Sequence, residues 1–186
     1  MSFDRRTVLF GLGGALVLAC GGGLARVRTG YRLAPGDAAI GLTVKQLAVV
    51  RAVVETLLPA DGDLPAGLAL GVHQRIDEEV WAMSDELRSD VRSALEVVEI
   101  LPLVWGFGGR FSRLALEDRE VAFRRMATGT IGPVVQAASA LKQMCALFYY
   151  ASDATWAAVG YDGPFVQTPR PPPSSVAYAA LLQAAR

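Results

Sequence analysis

The chain has 186 residues, 52% of them hydrophobic and 19% charged, with a mean hydropathy of +0.33; it is too apolar for a disordered segment and long enough to bury the core of one domain. Its 18 Lys+Arg are matched by 18 Asp+Glu, which leaves none of the basic excess that a nucleic-acid partner would require. Two cysteines, one histidine and no C-x-x-C-H sequence supply too few ligands for ordinary zinc or covalent haem chemistry, so no metal and no cofactor are expected in this chain.

Residues 1–25 read as an export address. Asp4-Arg5-Arg6-Thr7-Val8-Leu9-Phe10 sets paired arginines before an apolar run rich in Gly and Ala. This is the pattern of a twin-arginine signal, although Asp4 stands where Ser or Thr is more usual. Val17-Leu18-Ala19-Cys20 has the outline of a lipoprotein box, with Cys20 as the acylated residue. The 19 residues 7–25 carry no charge, which is just enough to cross a bilayer. Three fates stay open: lipidation at Cys20, retention as an anchor, or cleavage within 21–25. The expected location is periplasmic or periplasm-facing, membrane-associated if the segment stays. Gly11-x-Gly13-Gly14 is not read as a dinucleotide loop, because no strand precedes it and Leu16 stands at position 16.

Residues 26–42, with Arg26, Arg28, Arg32 and Ala34-Pro35-Gly36-Asp37, read as a linker. Thr43 is placed to cap a helix whose apolar stripe is Val44, Leu47, Val50, Val54, Leu57 and Leu58, ended by Pro59. The stretch 58–67 holds two Pro, two Gly and two Asp and reads as a loop. A second helix spans 71–83. A third starts at Ser84-Asp85-Glu86, uses Leu87, Val91, Leu95 and Val98, and is expected to end at Pro102 and Gly106. A fourth covers 116–127. The longest is expected over 133–150, with Pro133 at its start and Val134, Ala138, Leu141, Cys145 and Phe148 on its stripe. A short helical turn follows over 152–160, then the turn Tyr161-Asp162-Gly163-Pro164. A Pro-rich tail over 167–186 ends in a short helix over 176–185. No stretch alternates at period two. The fold class is all-α, a single helical domain of five or six helices over 43–166.

Few residues offer chemistry. His73 is the one imidazole and reads as a packing or surface residue; no G-x-S-x-G elbow accompanies it. Asp61 and Asp63 read as turn formers, since Val72 stands where a calcium loop would need its glutamate. Glu78-Glu79 reads as a solvated face, because adjacent helical residues point apart. Cys145 lies on an apolar stripe and reads as core. No catalytic residue is assigned. Phe148, Tyr149, Tyr150, Trp156, Tyr161 and Phe165 crowd 18 residues. Such a cluster packs on the helical core or forms a partner surface; interfaces favour Tyr and Trp at their centres, so Tyr149, Tyr150, Trp156 and Tyr161 are the candidate partner surface, with Trp156 the chosen anchor.

Several short motifs, taken in order, resemble the gluconate 2-dehydrogenase subunit 3 family. They are Leu58-Pro59, Leu64-Pro65-Ala66-Gly67, Gly71-Val72, Ile76-Asp77, Phe111-x-x-Leu114 and Glu117-Asp118-Arg119. Phe148-Tyr149-Tyr150, Trp156 and Gly160-Tyr161-Asp162-Gly163-Pro164 complete the series. The resemblance covers about residues 43–166 and implies a non-catalytic accessory subunit. Its implied partner is a large FAD-dependent dehydrogenase of the glucose-methanol-choline (GMC) type, which carries the FAD, with a c-type cytochrome as a possible acceptor. The small subunit would bear the export signal for both, acting as escort, and the complex would oxidise a sugar or alcohol. The ending Asp162-Gly163-Pro164 departs from the Gly-rich ending of some members, so no particular substrate is implied. The competing readings are a stand-alone exported or lipid-anchored helical binding protein and a small enzyme without a recognised motif.

Overall fold

The computed structural model describes residues 30–164 and 171–185. Arg5, Arg6, Cys20 and Phe165 lie outside the described residues, as does the start of the Pro-rich tail. The described residues form six α-helices, three short 3-10 turns and no strand. The helices are α1 (Val44–Leu57), α2 (Val72–Ala82), α3 (Asp85–Val104), α4 (Leu116–Thr128), α5 (Gly132–Tyr150) and α6 (Pro173–Ala184). None of the described helices is long and apolar enough to cross a membrane.

Helix α1 is the centre of the molecule and packs against α2, α3, α4 and α5. Its start is fixed by a reciprocal capping box. The Thr43 hydroxyl accepts from the Gln46 amide at 3.3 Å, and the Gln46 side chain accepts from the Thr43 amide at 3.1 Å. Its sequence predicts one stripe, but the structure buries Leu47, Val49, Val50, Ala52, Val53 and Val54, which lie nearly all round the helix. Val44 falls on the expected stripe yet is 45% exposed.

The other helices surround α1. On α2, Val72, Ile76 and Val80 recur every four residues and are fully buried. Arg88 closes the end of α2 by donating to the carbonyls of Val80, Trp81 and Met83 at 2.9–3.1 Å. Helix α3 begins with Asp85 and Glu86 in its first turn, as its sequence predicts. Leu87 of its expected stripe is exposed. The helix runs through Pro102 and ends at Val104, between the two residues expected to stop it, and with 20 residues it is longer than α5 with 19. Pro102 cannot donate to the Val98 carbonyl; its ring is buried, and the helix ends two residues later.

On α5 the stripe continues from Cys145 to Tyr149, four residues on, rather than to Phe148. The buried set Val134, Ala138, Leu141, Cys145 and Tyr149 faces α2, α3 and α4. The expected turn around Asp61 and Asp63 is present: Asp61 and Leu64 exchange both backbone hydrogen bonds, at 3.0 and 2.9 Å. The short helical turn after α5 is two 3-10 turns, Asp153–Thr155 and Ala157–Val159.

Residues 30–42, read from sequence as a linker, pack onto the helices instead: Ala38 and Leu42 are buried. The tail helix α6 likewise docks on α2 through Tyr178 and begins at Pro173, earlier than expected. Both contacts depend on buried polar groups, which apolar periodicity does not reveal.

Candidate functional site

Two buried carboxylates fasten residues 30–42 and the tail helix to the other helices. Asp77 is fully buried on α2. Its Oδ1 accepts from the Leu42 amide at 2.8 Å, and its Oδ2 accepts from the amides of Ile40 and Gly41 at 3.0 and 3.2 Å. The Tyr178 hydroxyl of α6 donates to the same Oδ2 at 2.7 Å. One carboxylate thus joins the segment before α1, the helix α2 and the tail helix. Gly41 is required by space: an added Cβ would stand 2.4 Å from the Asp77 carbonyl oxygen and 2.5 Å from the Trp81 nitrogen. Burial, and then the bond to Asp77, raise the Tyr178 pKa well above the usual phenol value, so this phenol stays a donor.

Glu99, fully buried on α3, is the second tie. It accepts from the Tyr31 hydroxyl at 2.7 Å and from the Ser112 amide and hydroxyl at 2.9 and 2.7 Å. The Arg110 Nε lies 3.3 Å from it, and the same guanidinium stacks 3.9 Å from the centre of the Tyr31 ring. Burial, followed by the Glu99 bond, raises the Tyr31 pKa also.

His73 is buried at the first turn of α2, with Nε2 3.0 Å from Asp37 Oδ1 and 3.1 Å from Arg51 Nη1. Asp37 also pairs with Arg51. This small cluster links residue 37 to α1 and α2, and its contacts are those of a packing residue. Cys145 is buried in the core, and burial pushes its thiol up to about 12, so it is a neutral thiol at ordinary pH. Glu79 is exposed; Glu78 is partly covered and pairs with Arg75. Among the described residues, no three His, Cys, Asp or Glu converge as metal ligands would.

The four aromatic residues chosen from sequence are brought to one place, but they do not share one role. Tyr149 is 3% exposed, and its hydroxyl donates to the Pro65 carbonyl at 2.8 Å. It is a core residue rather than a surface anchor, because the stripe of α5 carries it inward. Its ring meets that of Tyr150 edge-on at 5.2 Å. Tyr150 and Tyr161 are each 48% exposed. Trp156 is half-buried; its Nε1 donates to the Tyr150 carbonyl at 3.0 Å, and its ring meets Tyr161 edge-on at 5.3 Å. A Cβ on Gly163, which has φ +103, would lie 3.1 Å from the Trp156 ring. Residues 150–163 therefore close into a small aromatic knot at the end of α5.

Running back from this knot, α5 carries an apolar strip on its outer side, beside the exposed Gln136 and Lys142. Ala140, Met144, Leu147, Tyr150 and Ala151, with Gln143, line a shallow groove of about 810 Å³ that contains no charged side chain. Leu147 is 65% exposed. Sequence reading found the aromatic end of this face but not the groove. Its signal was present in the apolar residues of α5 that lie off the buried stripe.

The order of the motifs now has a structural account. Pro65 of one motif receives the Tyr149 hydroxyl of another, Phe111 and Leu114 are core, and Asp77 holds three segments. A family model, gluconate 2-dehydrogenase subunit 3, matches residues 44–163. The chain belongs to that family. The matched span runs from the first residue of α1 to Gly163 beneath the Trp156 ring, and so includes the whole α5 face and the knot. Comparisons with curated proteins and with solved structures gave no match.

Proposed function

We propose that the chain is a non-catalytic accessory subunit of an exported FAD-dependent dehydrogenase of the GMC type, acting on a sugar or alcohol, and that it escorts the large flavoprotein through the twin-arginine route. The observation that carries the reading is an apolar groove without charged side chains on α5, within the span matched by a family named as a dehydrogenase subunit. An apolar face of this kind suits a lasting subunit interface, which typically buries about 1,200–2,000 Å² or more with aromatic residues near its centre. In this reading Leu147 and Tyr150 contact the flavoprotein, and Trp156 with Tyr161 shapes the edge of the contact. FAD belongs to the large subunit, and a c-type cytochrome is a further candidate partner. Arg5 and Arg6 serve the signal, and Cys20 or the uncharged segment around it would hold the complex at the membrane. The test is affinity purification of the tagged chain from its native membrane and periplasmic fractions. A yellow flavoprotein should co-purify, and Leu147→Asp should abolish its recovery. Recovery of the chain without any flavin-bearing partner would favour the stand-alone binding protein.

A further inference from the structure

A second cleft, of about 570 Å³, opens between α1, the start of α4 and residues 30–32, on surface that the proposed subunit contact does not use. Arg32, Arg51, Arg113 and Arg119 line it, over Ala48 and Ala52 of α1. Three of these guanidinium groups are each held through a single nitrogen. Arg51 pairs through Nη1 with Asp37. Arg119 donates through Nη1 to Glu55 at 2.7 Å and to the Ala52 carbonyl at 3.3 Å. The Arg119 Nε is buried and has no acceptor. Arg113 donates through Nη2 to the Gly30 carbonyl, and Arg32 has no ion-pair partner among the described residues. Four cations against Asp37 and Glu55 leave two positive charges here, in a chain whose net charge is zero. Such an excess, carried by planar donors with unused N–H groups, suits an anion with several acceptor oxygens. Phosphate meets that demand better than a single carboxylate, and the cleft leaves room for an organic group over Ala48 and Ala52.

We infer that this cleft binds the phosphate of a small ester, supplied either by an anionic lipid headgroup or by a soluble phosphate ester. The cleft opens at Gly30, five residues after the uncharged run ends at Ala25. Five residues reach at most about 18 Å, so a retained anchor would keep the cleft within about 18 Å of the bilayer, where it could meet lipid headgroups.

The full chain is titrated with glycerol 1-phosphate at constant ionic strength while its thermal midpoint is followed. The midpoint should rise. Arg32→Gln with Arg113→Gln, both exposed positions, should weaken the response by about tenfold or more, through loss of two charge-assisted contacts. Glu55→Gln should strengthen it, because the repelling carboxylate is gone. Circular dichroism checks that both variants keep the helical fold. Flotation with phosphatidylglycerol against phosphatidylcholine vesicles then separates the sources. An arginine-dependent preference for phosphatidylglycerol assigns the lipid, and a soluble response without that preference assigns the free ester. No response to either probe, or a response that the arginine and Glu55 variants leave unchanged, overturns the inference.

Discussion

Two regions of this domain solve opposite problems. At the junctions built on Asp77 and Glu99, carboxylates are fully buried and each accepts several donors from distant segments. At the outer face of α5, Leu147 and Tyr150 are left in water beside a groove without charge. The usual distribution is inverted in both places, and each inversion has a physical meaning. A buried carboxylate is costly unless every lone pair is used, so it marks positions where geometry is enforced. A continuous exposed apolar face lowers solubility unless something covers it, so it marks the position where the fold is unfinished by itself. The first region keeps the domain together, and the second accounts for the proposed place in a larger assembly.

The strongest way to break this contrast is at Asp77. Asp77→Ala strands three backbone amides and the Tyr178 hydroxyl together, and should cost about 3–5 kcal/mol in urea unfolding. A loss under about 1 kcal/mol would show that the junction is water-supported and not a tie. On the other side, Leu147→Asp should leave stability within about 0.5 kcal/mol of the parent, since the side chain is 65% exposed. It should still weaken partner recovery by about tenfold or more, equivalent to about 1.4 kcal/mol. Trp156→Ala falls between the two regions. It removes one ring contact and one hydrogen bond from the knot, worth about 1–2 kcal/mol together. Hydrogen exchange should speed up over residues 150–163 and not in α1, and partner binding should weaken as Tyr161 loses its support.

The helices were legible in the sequence because their signals are local. Thr43, Asp85 with Glu86, and Pro133 mark three helix starts directly. The centrality of α1 was less legible, since a helix buried nearly all round differs from an amphipathic one only by extra valines. Residues 30–42 and α6 were misplaced because the contacts that hold them cross 35–37 and 101 positions of sequence to one aspartate. Among the four aromatic residues, sequence placed them together correctly. It did not separate Tyr149 from Tyr150, because a stripe stepping by three or four residues admits both Phe148 and Tyr149 as its next member. The cleft of arginines was invisible for the same reason as the carboxylate ties: its members come from residues 32, 51, 113 and 119.

The smallest expected effect is on the alkaline side of the stability profile. Burial raises the pKa of Tyr178 and Tyr31 above the ordinary phenol value of 10.0, and raises that of Cys145 from 9.0 to about 12. Each group therefore holds its proton longer in the folded chain than in the unfolded one. Between the two pKa values the unfolded state has lost the proton and the folded state has not, so stability falls as pH rises. The contribution is complete at neutral pH, begins to decline near pH 9 through Cys145, and declines further above pH 10 through the two tyrosines. Tyr178→Phe should flatten the part of the decline above pH 10 while lowering neutral-pH stability by about 1 kcal/mol, through loss of the bond to Asp77. Urea unfolding of both chains from pH 7 to 11 checks the slope directly. Parallel profiles would mean that the Tyr178 hydroxyl titrates alike folded and unfolded. The α6 contact would then be a loose rest rather than part of the Asp77 junction, and the contrast between a closed region and an open one would have to be drawn without the tail helix.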